Sequence, residues 1–321
     1  MRTLVTGGAG YIGSTTAAAL LAAGHEVTVV DDLSTGHRDA VPDGATFVGA
    51  DVTDPAALEA IVAAGGFDAC LHFAALIEAG ASMRTPERFF SVNTAGSARL
   101  LEVLLRHGVA RFVLSSTAAV YGEPTRIPIA EEDPLVPTNA YGESKLLVER
   151  MLAWHHRIHG LRVASLRYFN AAGATPERGE RHDPETHLIP LVLQVALGQR
   201  ERIAIYGTDY PTPDGTAVRD YVHVVDLADA HVRALTALDD EGALVCNLGN
   251  GSGFSVREVV ETARRVTGHP IPAEEAPRRE GDPAVLVASS QRARDLLGWR
   301  PRHPELETIV ADAWRFAHRG P

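Results

Sequence analysis

At 321 residues the chain exceeds the size at which one hydrophobic core keeps growing, so two packed units are expected. A hydrophobic share of 45% and a charged share of 22% are those of a globular chain and exclude extensive disorder. The net charge of −11 argues against nucleic acid as a partner, and two cysteines, Cys70 and Cys246, exclude a disulfide framework and a four-cysteine zinc site.

Short β-rich apolar runs at residues 3–6, 26–30, 46–49, 69–73, 111–115 and 162–168 alternate with helical patterns at 11–23, 56–64, 86–107 and 140–159. Strands separated by helix-length crossovers predict a parallel sheet covered on both faces, the α/β doubly wound arrangement that binds dinucleotides. Past Asn170 the texture changes. Residues 171–184 and 211–215 read as loops, and helical patterns resume at 188–197, 225–238, 256–267, 291–297 and 304–318. The expected division is a Rossmann-type unit over 1–170, with a segment near 217–245 crossing back, and a smaller α/β unit over 171–321. No run is long and apolar enough for a bilayer, and no signal-type segment precedes the first glycines, so a cytoplasmic location without membrane contact is expected.

Gly7-Gly8-Ala9-Gly10-Tyr11-Ile12-Gly13 follows the first expected strand and opens the first helix. Glycines there let the backbone turn tightly and approach a pyrophosphate seated on the helix N-terminus. Asp31 ends the second strand, where a carboxylate accepts hydrogen bonds from ribose hydroxyls and repels a 2′-phosphate. NAD is therefore expected over NADP. A turn that merely packs helix on strand, with Asp31 solvated, is the plain alternative.

Tyr141 and Lys145, four residues apart near the start of a helical pattern, share one face. A free phenol titrates near about 10, and bringing it to neutrality takes about 4 kcal/mol. An ammonium about 4–5 Å away at an effective dielectric of about 20 supplies that much. The pair is thus expected to act as a general base toward a substrate hydroxyl. Thr117, at the carboxyl end of the fifth strand, faces the ligand crevice and can bond both substrate and Tyr141. By itself a Tyr-x-x-x-Lys string also fits an ordinary amphipathic helix, and Thr117 also fits a hydroxyl bonded to its own backbone.

The glycine turn, Thr117 and Tyr141/Lys145, in this order, resemble the extended short-chain dehydrogenase/reductases. Tyr168-Phe169-Asn170-Ala171-Ala172-Gly173-Ala174, Val218-Arg219-Asp220-Tyr221-Val222-His223-Val224-Val225-Asp226-Leu227-Ala228 and Arg278-Arg279-Glu280-Gly281-Asp282 resemble signatures of the UDP-glucose (UDP-galactose) 4-epimerases among them. The resemblance covers essentially the whole chain. It implies that Gly7, Gly10, Tyr11, Ile12 and Gly13 hold NAD, together with Asp31, Asp32, Leu33, Ser34, Thr35 and Gly36. Asp51, Val52, Phe73, Ala74, Ala75, Asn93, Thr117, Tyr141, Lys145 and Phe169 complete that set. For a UDP-sugar it implies Thr117, Tyr141, Asn170, His187, Leu188, Ala204, Ile205, Tyr206, Arg219, Arg279, Asp282 and Leu286. Two arginines suit a diphosphate, because a planar guanidinium binds its oxygens bidentately.

The implied reaction is interconversion of UDP-galactose and UDP-glucose through a 4-keto sugar, with NAD kept bound. Relatives that dehydrate or decarboxylate carry acidic residues just after the Thr, whereas this chain has Ala118 and Ala119. Leu286 is an intermediate pocket wall, which leaves UDP-N-acetylhexosamine and UDP-uronic acid substrates open. A non-catalytic NAD-sensing protein is a third alternative, to which Thr117, Tyr141 and Lys145 would be dispensable. The resemblance also implies a homodimer joined through the helices at 86–107 and 140–159. No metal is expected among the 14 histidines: His155, His159 and His182 read as solvated, and His223 as structural or functional.

Overall fold

The computed structural model describes residues 1–279 and 282–319; Glu280 and Gly281 of the Arg-Arg-Glu-Gly-Asp string lie outside the described residues. Where apolar residues run without alternation, both faces of the strand are covered. That pattern builds the central sheet from β1 (Arg2–Thr6), β2 (Glu26–Asp31), β3 (Thr46–Gly49), β4 (Ala69–His72), β5 (Arg111–Thr117) and β6 (Arg162–Tyr168). Short strands β7 (Asn170–Ala172), β8 (Ile203–Tyr206), β9 (Val218–Arg219) and β10 (Tyr221–His223) follow. The rest are β11 (Ala243–Leu248), β12 (Phe254–Ser255), β13 (Ala273–Ala276) and β14 (Val285–Leu286). The large sheet is all parallel, in the order β11-β6-β5-β4-β1-β2-β3. This is the doubly wound order, extended at one edge by a strand from late in the chain.

Helices α1 (Tyr11–Ala22), α2 (Pro55–Gly65), α3 (Ala79–Ser82), α4 (Pro86–Phe89), α5 (Ser97–Arg106) and α6 (Ala140–His159) belong to the first half. Their ends follow local chemistry. Asp54 caps α2 by accepting from Ala56 N and Ala57 N, with Pro55 in the first turn and left-handed Gly66 after it. Asn139 caps α6, and Gly160 closes it. The single helix expected over 86–107 is α4 and α5 joined by a π-helical stretch, Phe90–Gly96, with helical backbone at both junctions. Asn93 lies on that widened turn.

Two apolar layers flank the sheet. One gathers α1, α8 (Val224–Glu241) and α10 (Gln291–Leu297), with Trp299 fully buried; the other gathers α2, α5 and α6. A third core joins α7 (Leu188–Ala196), α9 (Val256–Thr267) and α11 (Leu306–Arg319) beside the small sheets. The capping box of Ser255 and Glu258 starts α9. Cys70 and Cys246 are both buried and unpaired, as core residues. Among the described residues no helix is long and apolar enough to cross a membrane.

Helix α6 lies tight against the strand ends. A Cβ at Gly142 would sit 2.6 Å from the Ala119 carbonyl oxygen, so glycine permits the approach. Two turns on, Glu149 receives three hydrogen bonds from Arg167 of β6, from Nη2 at 2.6 Å and from Nε at 3.0 Å and 3.2 Å, and one from Ser116 of β5 at 2.5 Å. Side-chain exposure of the pair is only 7% and 4%. Breaking such a pair strands a buried charge. Arg167→Met is expected to cost about 3–5 kcal/mol in urea unfolding. The double variant Glu149→Leu/Arg167→Met should recover most of that loss.

Candidate active site

Because the strands of the large sheet run one way, their carboxyl ends deliver loops to a single edge, where a cleft of about 430 Å³ opens. One end is the glycine turn. Gly7 has φ +69°, and a Cβ there would lie 2.5 Å from the Ala74 nitrogen, so a side chain would push β1 and the β4 loop apart. After Gly10, α1 begins with no side-chain cap and no acidic residue in its first turn. Gly10, Tyr11, Ile12 and Gly13 line the cleft, and the uncapped N–H groups with their positive dipole end suit a pyrophosphate. Tyr11 is fixed there by donating to the Gly173 carbonyl at 2.5 Å.

Asp31, at the end of β2, is buried. Its Oδ2 accepts from Ala9 N and its Oδ1 from Leu33 N, each at 2.9 Å. Burial raises its pKa, and those two N–H groups oppose the rise. Asp32, Ser34, Thr35 and Gly36 continue the lining, whereas Leu33 turns outward at φ +59° and only its N–H serves the site. Asp51 and Val52 after β3, Phe73, Ala74 and Ala75 after β4, and Phe169 after β6 also face the cleft. This set of N–H donors, one placed carboxylate and apolar walls fits NAD.

Asn93 does not line the cleft. Its amide is spent on Leu76, accepting from the N–H at 2.8 Å and donating to the carbonyl at 2.9 Å, and it also donates to Ser144 Oγ at 3.0 Å. It braces the loop after β4 against α6.

Thr117 and Tyr141 both face the cleft, and the Thr117 hydroxyl accepts from Ala119 N at 3.1 Å. Lys145, one turn along α6, is 3% exposed and donates from Nζ to the Ser115 carbonyl at 3.0 Å. Burial, partly offset by Glu149, lowers its pKa to about 8. The expectation that Lys145 acidifies Tyr141 needs correction for the protein alone. Burial raises the phenol's pKa, Thr117 pulls it down and the Glu78 carboxylate pushes it up again. Desolvation dominates because the phenolate would be formed in a place that is closed to water.

The residues expected to hold a UDP-sugar divide. Asn170 and His187 line the cleft; Leu188, Ala204, Ile205, Tyr206, Arg219, Arg279, Asp282 and Leu286 lie outside its lining. Several of these form a second cluster on the small sheets. Arg219 Nη2 donates to Asp282 at 2.7 Å, Arg279 stacks 4.0 Å over the Tyr206 ring, and Leu286 is paired with Arg219 between β14 and β9. Leu286, like Phe169, also packs against the group that holds Val120 and Tyr121. Leu188, Ala204 and Ile205 belong to the frame: Leu188 packs on the third core, and β8 pairs with β13.

Glu78, Arg88 and Tyr168 line the cleft too, and only Tyr168 stood within a quoted motif. The other two arrive on the loop and short helix after β4, which carry no spacing signal. Asp220 is a further structural residue. Fully buried, it accepts from Asn250 N, Gly251 N and Ala288 N and thereby ties β9 and β10 to two distant loops. His223 is structural: Nδ1 accepts from Val225 N at the start of α8, and Nε2 meets Asp312. His182 is not solvated; it lies half-buried against Glu180 in the cleft wall. His155 and His159 stack on each other, His155 only partly exposed.

A sequence profile of the NAD dependent epimerase/dehydratase family matches residues 3–249. The chain belongs to this family. It is 53% identical to a UDP-glucose 4-epimerase of Halalkalibacterium halodurans, covering 100% of this chain and 97% of that one. A crystal structure of a UDP-glucose 4-epimerase superposes with a TM-score of 0.98 at 51% identity, over 100% of this chain and 98% of that chain. The UDP-glucose 4-epimerase from Brucella ovis in complex with NAD gives 0.95 at 43% identity, over 99% and 98%. The cofactor of this family is NAD, as the glycine turn and Asp31 lead one to expect.

The Lys145 pKa of about 8 lies below its ordinary 10.5. Between those values the unfolded chain binds more protons than the folded one, so this residue makes stability rise from about pH 8 toward pH 10.5. Urea unfolding at pH 8 and pH 10 should show that rise in the native protein and a flatter response in Lys145→Met. The variant should match or exceed native stability at pH 7, where a buried ammonium is no longer being desolvated.

Proposed function

We propose that the chain is a UDP-glucose 4-epimerase that interconverts UDP-galactose and UDP-glucose. The observation that carries this reading is the arrangement of Thr117, Tyr141 and Lys145 at the carboxyl edge of the sheet, with Ala118 and Ala119 where a proton-moving side chain would be needed for elimination. Tyr141 takes the proton from the sugar O4 and later returns it. Thr117, beside it at the strand end, lowers the phenol's pKa, and Lys145 supplies a fixed cation, positioned by the Ser115 carbonyl. NAD, when bound, would supply a two-electron hydride acceptor and donor for C4 and a positive charge that favours a phenolate. Gly7, Gly10, Gly13 and the start of α1 would hold its pyrophosphate, and Asp31 its ribose hydroxyls.

Arg219 and Arg279 would clamp the diphosphate, with Asn170, His187 and Leu188 beside it. Clamping one end leaves the hexose free to present either face to the same carbon-level chemistry. Residues 1–170 with the returning segment near 217–245 then serve the cofactor, and the remainder serves the sugar nucleotide. Leu286, an intermediate side chain packed against the Val120 and Tyr121 cluster, leaves UDP-N-acetylhexosamine or UDP-uronic acid as the alternative substrates. The buried thiols fit a cytoplasmic setting.

Purified protein given UDP-galactose without added cofactor should form UDP-glucose, read by NMR; parallel incubations with UDP-N-acetylgalactosamine and UDP-glucuronate define the sugar class. Absence of conversion with NAD supplied would overturn the reading. Tyr141→Phe should lower turnover by about 10²–10⁴-fold while bound NAD and UDP affinity stay near native.

A homodimer through α5 and α6 is part of the same proposal. Trp154 and Ile158 on α6 are 57% and 64% exposed, an apolar outlay that a second helix pair would cover. Trp154→Glu should shift the mass in light scattering from dimer to monomer.

A further inference from the structure

The loop between β7 and α7 brings together four side chains to which the proposed reaction gives no joint task. Glu180, His182, Glu185 and His187 each present one ligand atom, and all four atoms lie within 4.8 Å of one another. His182 Nδ1 and His187 Nδ1 both donate to Glu180 Oε1, at 2.9 Å and 2.7 Å, and His187 Nδ1 lies 2.8 Å from Glu185 Oε1. Both imidazoles thus offer the same ring atom to one point between two carboxylates.

The charge around that point is one-sided. The side chains of Glu180 and Glu185 are only 7% and 5% exposed. Buried carboxylates call for nearby cations. The adjacent Arg181 turns away and binds Asp39 with both terminal nitrogens, while Arg178 donates to the Ala40 carbonyl. Among the described residues neither glutamate makes an ion pair with Lys or Arg; the two imidazoles are their only side-chain partners of opposite charge, and Glu185 also accepts from Thr186 N and His187 N at 2.7 Å each.

We propose that Glu180, His182, Glu185 and His187 bind one divalent transition-metal ion of the zinc type. Two imidazole nitrogens and two carboxylate oxygens are a borderline donor set that suits Zn²⁺ and not Mg²⁺, which takes oxygen ligands. A tetrahedral ion with bonds of about 2.0–2.2 Å spreads its ligand atoms to about 3.4 Å, within reach of small side-chain rotations here. Four protein ligands close the coordination shell, so the site is structural. Its ligands come from both halves of one short loop, so the ion staples that loop immediately before α7. Glu180 and His182 stand in the wall between the main cleft and a second cavity of about 170 Å³, so the staple would fix one side of the sugar-nucleotide entrance.

The test needs no turnover measurement. Full-length protein grown with zinc and passed through gel filtration is assayed for metal by plasma mass spectrometry, then stripped with a chelator and titrated with Zn²⁺. One Zn²⁺ per chain is expected, and Co²⁺ in its place should give the visible bands of a tetrahedral site. His182→Asn and Glu185→Gln, with circular dichroism and bound NAD as checks of folding, should each weaken Zn²⁺ binding by at least about 10-fold. Absence of a stoichiometric ion in the native protein, an octahedral Co²⁺ spectrum, or equal affinity in native and variants would overturn the site. His159→Ala, outside the cluster, should bind as the native protein does.

Discussion

The buried pair of Glu149 and Arg167 decides where helix α6 sits, and α6 carries Tyr141 and Lys145. Tyr141, Lys145 and Glu149 follow one another at intervals of four, so a single helical face bears the phenol, the ammonium and the anchor. Glu149 reaches both β5, through Ser116, and β6, through Arg167. That double attachment sets the rotation and height of the helix against the strand ends. Gly142 then lets the first turn close onto the backbone beyond Thr117. A slip of one residue would turn Tyr141 out of the cleft, and the anchor would lose both partners.

The same burial that locates the site makes it costly. Lys145 is held as a desolvated cation, with the Ser115 carbonyl and the Glu149 carboxylate as its compensation. Tyr141 is harder to ionise in this surrounding than in water. The protein alone therefore keeps the Tyr141 phenol protonated at neutral pH.

The smaller unit is bound to the large sheet through side chains that satisfy backbone groups. Asp220 accepts three N–H groups from two loops, while its own carbonyl accepts from Asn170 N and from the Asn170 amide. Asn170 thus stands where strand β7, the cleft and the Arg219 cluster meet. Arg219 and Asp282 are already paired, which keeps the guanidinium in place.

Much of this is local and stands in the sequence. The glycine turn before α1, the acidic end of β2, the caps at Asp54 and Ser255, and the spacing of four between Tyr141 and Lys145 all depend on neighbours within a few residues. So does the absence of acid at Ala118 and Ala119. Short-range geometry of this kind needs no knowledge of what packs above it. Tertiary structure alone decided the remainder. It spent Asn93 on Leu76 and Ser144, turned Arg181 toward Asp39, buried His182 against Glu180, and made desolvation the leading influence on the Tyr141 phenol. Each of those outcomes depends on which distant segment covers a side chain, and solvent exclusion is a property of the packed whole that no spacing encodes.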